Sequence, residues 1–277
     1  MVLIILSIFL VAVVAGSFLN YCIKRIPLDI PLFACGNYTK RERESLRVIH
    51  SRSRKLGYVK VSVNPRDYFV VFVTFISFLL LASKFAGVPS SMALAWIAPV
   101  DSYTLLPVYL IVVCSLIVMS FIDIDHFILP DRFTIGGVIF GLLSSICFPS
   151  LHDTSDRFLS LGYSLFGAIV GFGFLWSFGV IAKLIVGQDA MGFGDVKLLA
   201  AFGSFFGVEA VFLIFFFSTL VGAIMGLPLL YSKYIKKTSG VGSEIPFGPA
   251  LCISAFLYLL SYPEFNDALF VLSSSLF

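Results

Sequence analysis

Charge is what this chain has least of. Of its 277 residues, 13% are charged and 59% hydrophobic, against roughly 25% charged in a soluble domain. The mean hydropathy of +1.01 excludes a soluble globular fold and predicts an integral membrane protein. Cysteine is also sparse. Cys22, Cys35, Cys114, Cys147 and Cys252 are scattered, with no CxxC pair, so neither a disulfide framework nor a zinc site is indicated. Cys114, Cys147 and Cys252 fall in apolar runs, where cysteine acts as a small hydrophobe. No internal repeat is evident, which weakens a transporter built from inverted halves.

Apolar stretches are abundant. Runs near the ~20 residues needed to span a bilayer begin near Val2, Tyr68, Tyr103, Phe133, Gly162 and Glu209, with shorter ones at Leu198–Val208 and Phe247–Tyr262. They predict eight helices at most, the short sixth being marginal for a span. Of the 19 Lys+Arg, 11 lie between Lys24 and Arg66, and Lys233, Lys236 and Lys237 precede the last helix. Positive loops stay cytoplasmic. An eight-helix count puts both basic segments on one side, leaving Lys84 and Arg157 opposite. A six-helix count separates them. The run Val2–Tyr21 has no basic residue before it and Lys24 and Arg25 after it, so it reads as a retained anchor with its N-terminus outside. The segment 22–67 reads as a solvated basic loop touching anionic lipid. The GxxxG spacings at Gly167/Gly171, Gly203/Gly207 and Gly222/Gly226 suit close helix packing.

Against this background two strings stand out: Asp123-Ile-Asp-His-Phe-Ile-Leu-Pro-Asp131 and Met191-Gly-Phe-Gly-Asp195. Ionisable residues at the ends of apolar runs are functional candidates. Asp123 and Asp125, two apart, point to different sides of a helix, so one of them faces a given partner. Asp131 follows a proline and suits a first helical turn and the helix dipole. His126 reads as interfacial. Gly192 and Gly194 permit unusual backbone angles or close approach of another chain. Lys197 reads as a positive-inside residue or a partner for a carboxylate. The charge-derived topology puts Asp123 and Asp195 on one side. Two such carboxylates share a proton, one serving as base and the other as acid. The spacing leaves an aspartyl protease and a carboxylate-gated ion path or transporter as alternatives.

Asp123-x5-Leu-Pro-Asp131 and Gly192-Phe-Gly-Asp195-Val-Lys-Leu resemble the two catalytic motifs of the type IV prepilin peptidases, GxGD membrane aspartyl proteases. Gly16-Ser-Phe-Leu-Asn20 with Arg25-Ile-Pro27 resembles that family's N-terminal motif, and Ile245-Pro-Phe-Gly-Pro249 its C-terminal one. The four matches come in family order. The resemblance implies that Asp123 and Asp195 form the catalytic dyad, with Gly192, Gly194, Lys197 and Asp131 in support. It implies cleavage of the basic leader from type IV prepilins or pseudopilins at the cytoplasmic face of a bacterial inner membrane, without a cofactor. Many members also methylate the new N-terminus with S-adenosylmethionine. Many bifunctional members carry two CxxC pairs in the first loop; here that loop has Cys35, with Cys22 at its edge, so zinc is not expected. The methylation-associated elements at Gly16–Asn20 and Arg25–Pro27 are retained. The expectation is an all-α polytopic membrane protein with about eight transmembrane helices and one basic cytoplasmic loop. Residues 1–67 form an anchor and divergent methyltransferase-like part, and residues 68–277 the peptidase domain. The expected partners are prepilins or pseudopilins and membrane lipid, not nucleic acid.

Overall fold

The computed structural model describes residues 2–28, 65–85, 105–152, 154–187, 192–236 and 246–261. These residues form eight α-helices and no strand: α1 Val2–Arg25, α2 Pro65–Phe85, α3 Leu106–His126, α4 Asp131–Cys147, α5 Arg157–Val186, α6 Phe193–Phe206, α7 Val208–Lys236 and α8 Gly248–Ser261. By length and composition α1, α2, α3, α5 and α7 can each cross a membrane. The 14 residues of α6 and of α8 give each a length of about 21 Å, short of a ~30 Å hydrocarbon core. The protein is an all-helical, polytopic membrane protein.

Local chemistry sets the helix ends. The Asp156 side chain accepts the Phe158 N–H at 3.0 Å to start α5, satisfying a donor that the first turn leaves open. Gly187 (φ 78) ends α5 and Gly207 (φ 86) ends α6, both in the left-handed region that glycine enters without a Cβ penalty. Gly207 thus stops the helix, and its backbone also lies 3.3 Å from where a Gly167 Cβ would stand. Pro130 precedes α4 instead of lying in its first turn, and its carbonyl accepts from Phe133 and Thr134.

The chain divides into two compact units, residues 1–82 and 83–277. The functional division expected at residue 67 concerns activity, not compactness. In the first unit α1 lies tight on α2. A Cβ on Gly16 would stand 2.9 Å from the Val71 Cα, and Phe9 meets Phe75 edge-on at 5.4 Å. Asn20 Nδ2 donates to the Asp67 carbonyl at 3.0 Å, and Lys24 Nζ pairs with the Asp67 carboxylate at 2.9 Å. The loop between these helices lies outside the described residues, as does Cys35.

In the second unit α6 is the central element. Leu198, Leu199, Phe202 and Phe205 are buried. Lipid tails are as apolar as leucine, so association here depends on close packing rather than on escape from water. Gly167 of α5 and Gly203 of α6 provide it: a Cβ on either would collide with the other's carbonyl. Ser164 Oγ adds a hydrogen bond to the Ser204 carbonyl at 2.5 Å. Phe205 meets Tyr109 of α3 edge-on at 5.8 Å and stacks on Phe140 of α4 at 6.2 Å. Lys84, where the second unit begins, is buried and donates to the carbonyls of Leu259 and Leu260 at 2.8 and 2.9 Å. It caps the C-terminal end of α8, where a cation complements the dipole.

Candidate active site

Three helix ends meet at one end of the second unit. Asp123 sits in the last turn of α3 and is 6% exposed, whereas Asp125 is exposed. The opposite-face argument for the two residues therefore holds, and Asp123 is the one that turns inward. Its Oδ2 accepts the backbone N–H of Gly248 at 3.0 Å, an unsatisfied donor at the first residue of α8. A Cβ on Gly248 would lie 2.6 Å from that same oxygen. Glycine is required there by proximity to a carboxylate, not by backbone angle.

Asp195 occupies the first turn of α6, and its N–H closes on the Gly192 carbonyl at 3.1 Å. The sequence allowed either unusual angles or close approach at Gly192 and Gly194, and close approach is the answer. Gly192 has an ordinary extended backbone (φ −70, ψ 130), and Gly194 has no positive φ. A Cβ on Gly192 would stand 3.1 Å from Asp195 Oδ2, and one on Gly194 would stand 3.0 Å from the Leu129 Cβ. Gly194 thus lets the loop between α3 and α4 press against the start of α6. Asp123 and Asp195 lie within Coulombic reach of one another, although they come from helices far apart in sequence.

Lys197 and Asp131 are not part of that pair. Two residues beyond Asp195, Lys197 turns to the other side of α6, donates to Asp131 Oδ1 at 2.6 Å, and sets its ammonium 4.9 Å from the Phe193 ring centre. Asp131 is 63% exposed and Lys197 22%, so this bond between α4 and α6 contributes on the order of 0–1 kcal/mol. Asp131 also opens α4, as its dipole reading expects. His126 is exposed at the end of α3.

Sequence reasoning gave two residues of this site no role. Gly248 lay inside a matched motif but carried no assignment. Cys252, read as a small hydrophobe, is indeed buried, yet it lies one helical turn from Gly248 within Coulombic reach of both carboxylates and is hydrogen-bonded to Ser120. No spacing rule joins residues of α3, α6 and α8. Among the described residues no cluster of three or more His, Cys, Asp or Glu is arranged to hold a metal. A cleft of about 430 Å³, lined by His152, Tyr163, Gly207, Glu209 and Tyr258 among others, lies at the opposite end of the unit, where α6 and α8 finish.

Comparison with known proteins gives concordant results. The model of the type IV leader peptidase family matches residues 110–227, a span containing Asp123 and Asp195. The chain is similar to the prepilin leader peptidase/N-methyltransferase of Aeromonas hydrophila, 38% identical over 149 residues, which are 52% of this chain and 46% of that protein. It is 29% identical over 275 residues to the protein of the same name from Aeromonas salmonicida, covering 91% of this chain and 89% of the relative. The Neisseria gonorrhoeae counterpart is 28% identical over 267 residues, covering 87% and 85%. No solved structure matches.

Proposed function

We propose, from its likeness to the type IV leader peptidase family, that the chain is a prepilin peptidase whose catalytic dyad is Asp123 and Asp195. The observation that carries the dyad assignment is their meeting: two carboxylates on separate helices, at one end of one unit, close enough to feel each other's charge. Like charges that close cannot both ionise easily, so the pair holds one proton between them. The ionised member takes a proton from water, and the resulting hydroxide attacks the scissile carbonyl carbon. The protonated member gives its proton to the carbonyl oxygen. Collapse of the tetrahedral intermediate breaks the C–N bond, the leaving amine takes a proton from the dyad, and a hydroxyl proton of the intermediate returns to the dyad. The Gly248 N–H holds one carboxylate oxygen of Asp123 in place throughout.

The substrate in this reading is a type IV prepilin or pseudopilin with a basic leader. The enzyme sits in a bacterial inner membrane with its dyad at the cytoplasmic face, a placement supported by the Lys and Arg distribution, which on an eight-span count falls on the side of both aspartates. Residues 68–277 hold the peptidase chemistry. Methyl transfer is a separate matter. Of the N-terminal elements associated with it, Gly16 and Asn20 are engaged in holding α1 to α2.

The test is co-expression with a panel of prepilins, reading leader removal and N-terminal mass. Wild type should cleave, and Asp123→Asn and Asp195→Asn should each abolish cleavage while still inserting in the membrane. Leader removal by either asparagine variant would refute the dyad.

A further inference from the structure

Serine side chains inside these helices mostly bond to their own backbone. Ser115, Ser145, Ser177 and Ser218 each donate to the carbonyl three residues back on the same helix, at 2.7–2.8 Å. Ser120 of α3 reaches across to another helix instead: its hydrogen-bond partner is Cys252 of α8.

The register of the two helices explains the meeting. Asp123, in the last turn of α3, accepts from Gly248, the first residue of α8, at 3.0 Å, so the two helices run antiparallel past each other. Ser120 comes three residues before Asp123, and Cys252 four residues after Gly248. Each therefore lies one turn deeper on the same face of its helix. Asp123–Gly248 and Ser120–Cys252 are successive rungs between α3 and α8. Cys252 is 2% exposed and within Coulombic reach of both Asp123 and Asp195.

A buried cysteine is ordinarily a small hydrophobe. That reading accounts for the burial of Cys252, but not for a serine hydroxyl turned away from its own backbone toward the sulfur. Helices in lipid gain little from apolar burial, so polar contacts and close packing fix how they meet. A single hydrogen bond leaves a helix pair able to pivot about it. Two bonds one turn apart fix the rotation as well. The Gly248 bond alone would let α3 turn about the very carboxylate that has to be aimed.

We propose that Ser120 and Cys252 are positioning residues for the cleavage reaction, their hydrogen bond fixing the rotation of α3 on α8 and so the aim of the Asp123 carboxylate toward Asp195. Both act through Asp123 rather than on the substrate. The inference rests on the peptidase reading above.

The experiment uses the full chain in lipid nanodiscs with a prepilin that wild type cleaves, with rates taken per inserted molecule. Alanine and serine are nearly equal in volume, so Cys252→Ala and Cys252→Ser leave the same gap and differ in the hydroxyl. Cys252→Ala should lower kcat roughly tenfold with KM little changed, less than the ~10²-fold of a 1 Å displacement because the Gly248 bond remains. Cys252→Ser should recover most of that rate. Ser120→Ala removes the bond from the other helix and should lose as much as Cys252→Ala. The double variant Ser120→Ala/Cys252→Ala should be no slower than either single one, as for two residues that share one interaction. Equal losses for Cys252→Ala and Cys252→Ser would mean that Cys252 only fills space. Losses that multiply in the double variant would mean that the two residues act separately. Either result overturns the pair, as does a wild-type kcat in Ser120→Ala. In those cases wild-type cleavage keeps the peptidase reading intact. Wild type cleaving no prepilin would sink both.

Discussion

At the scale of single residues, the candidate site depends on groups that are absent as much as on groups that are present. Gly248 has no Cβ because Asp123 Oδ2 occupies the space within 2.6 Å of where one would be. Gly248→Ala must therefore displace the carboxylate, the start of α8, or both, and the 3.0 Å hydrogen bond lengthens or breaks. A displacement of about 1 Å in a reacting group can cost ~10²-fold in rate. The expected result is a fall in kcat of that order for prepilin cleavage, with KM little changed and the protein still inserted. Gly248→Ala enzyme cleaving at the wild-type rate would show that the contact does not position Asp123. The Lys197–Asp131 pair is different in kind: one partner is mostly exposed, and the bond ties α4 to α6 without touching the dyad.

At the scale of elements, the second unit holds together where backbones touch. Two glycines of α5 show the contrast. A Cβ at Gly167 would collide with the backbone of Gly203, whereas a Cβ at Gly173 would meet nothing within 4 Å. Alanine is the better helix former by roughly 0.5–1 kcal/mol. Gly173→Ala should therefore leave the melting temperature in detergent unchanged or raise it. Gly167→Ala should lower it, overpacking being worth about 1–3 kcal/mol. Equal melting temperatures for the two variants would mean that α5 and α6 are not in backbone contact. The same elements show what the sequence could reveal. Hydropathy located eight helices, because a span must be apolar along its length. It drew the sixth too late, from Leu198 rather than Phe193, because Asp195 and Lys197 dilute its first turn. That turn is stabilised by protein neighbours, which no hydropathy window registers. Asp123 and Asp195 were legible as costly residues in apolar surroundings. The Gly248 contact was not, since it joins positions 125 apart through a tertiary approach. Phe127's left-handed backbone likewise leaves no compositional trace.

At the scale of the whole molecule, the question is which end faces which compartment. The Lys and Arg distribution concentrates positive charge in the segments 22–67 and 233–237, and a topology in which all eight helices cross would bring both to the side where α3 ends and α6 and α8 begin. One of the two exceptions has a local explanation. Lys84 is buried against the closing carbonyls of α8, so its charge is satisfied within the protein. Arg157 opens α5 directly after its Asp156 cap. Lys84 is thus no loop cation free to set orientation, and Arg157 is the single exception to the charge argument. Reporter fusions within 29–64 and within 237–245 should therefore both register as cytoplasmic, and fusions within 86–104 and at Asp153 as external. Fusions placing the two basic segments in different compartments would remove one helix from the membrane. The marginal member is α6, whose 14 residues give about 21 Å. Its removal would also put the Asp195 end and the Gly248 end on opposite sides of the bilayer. That outcome is incompatible with Gly248 bonding Asp123 while Asp195 lies beside it, so the topology measurement tests the candidate site without assaying cleavage.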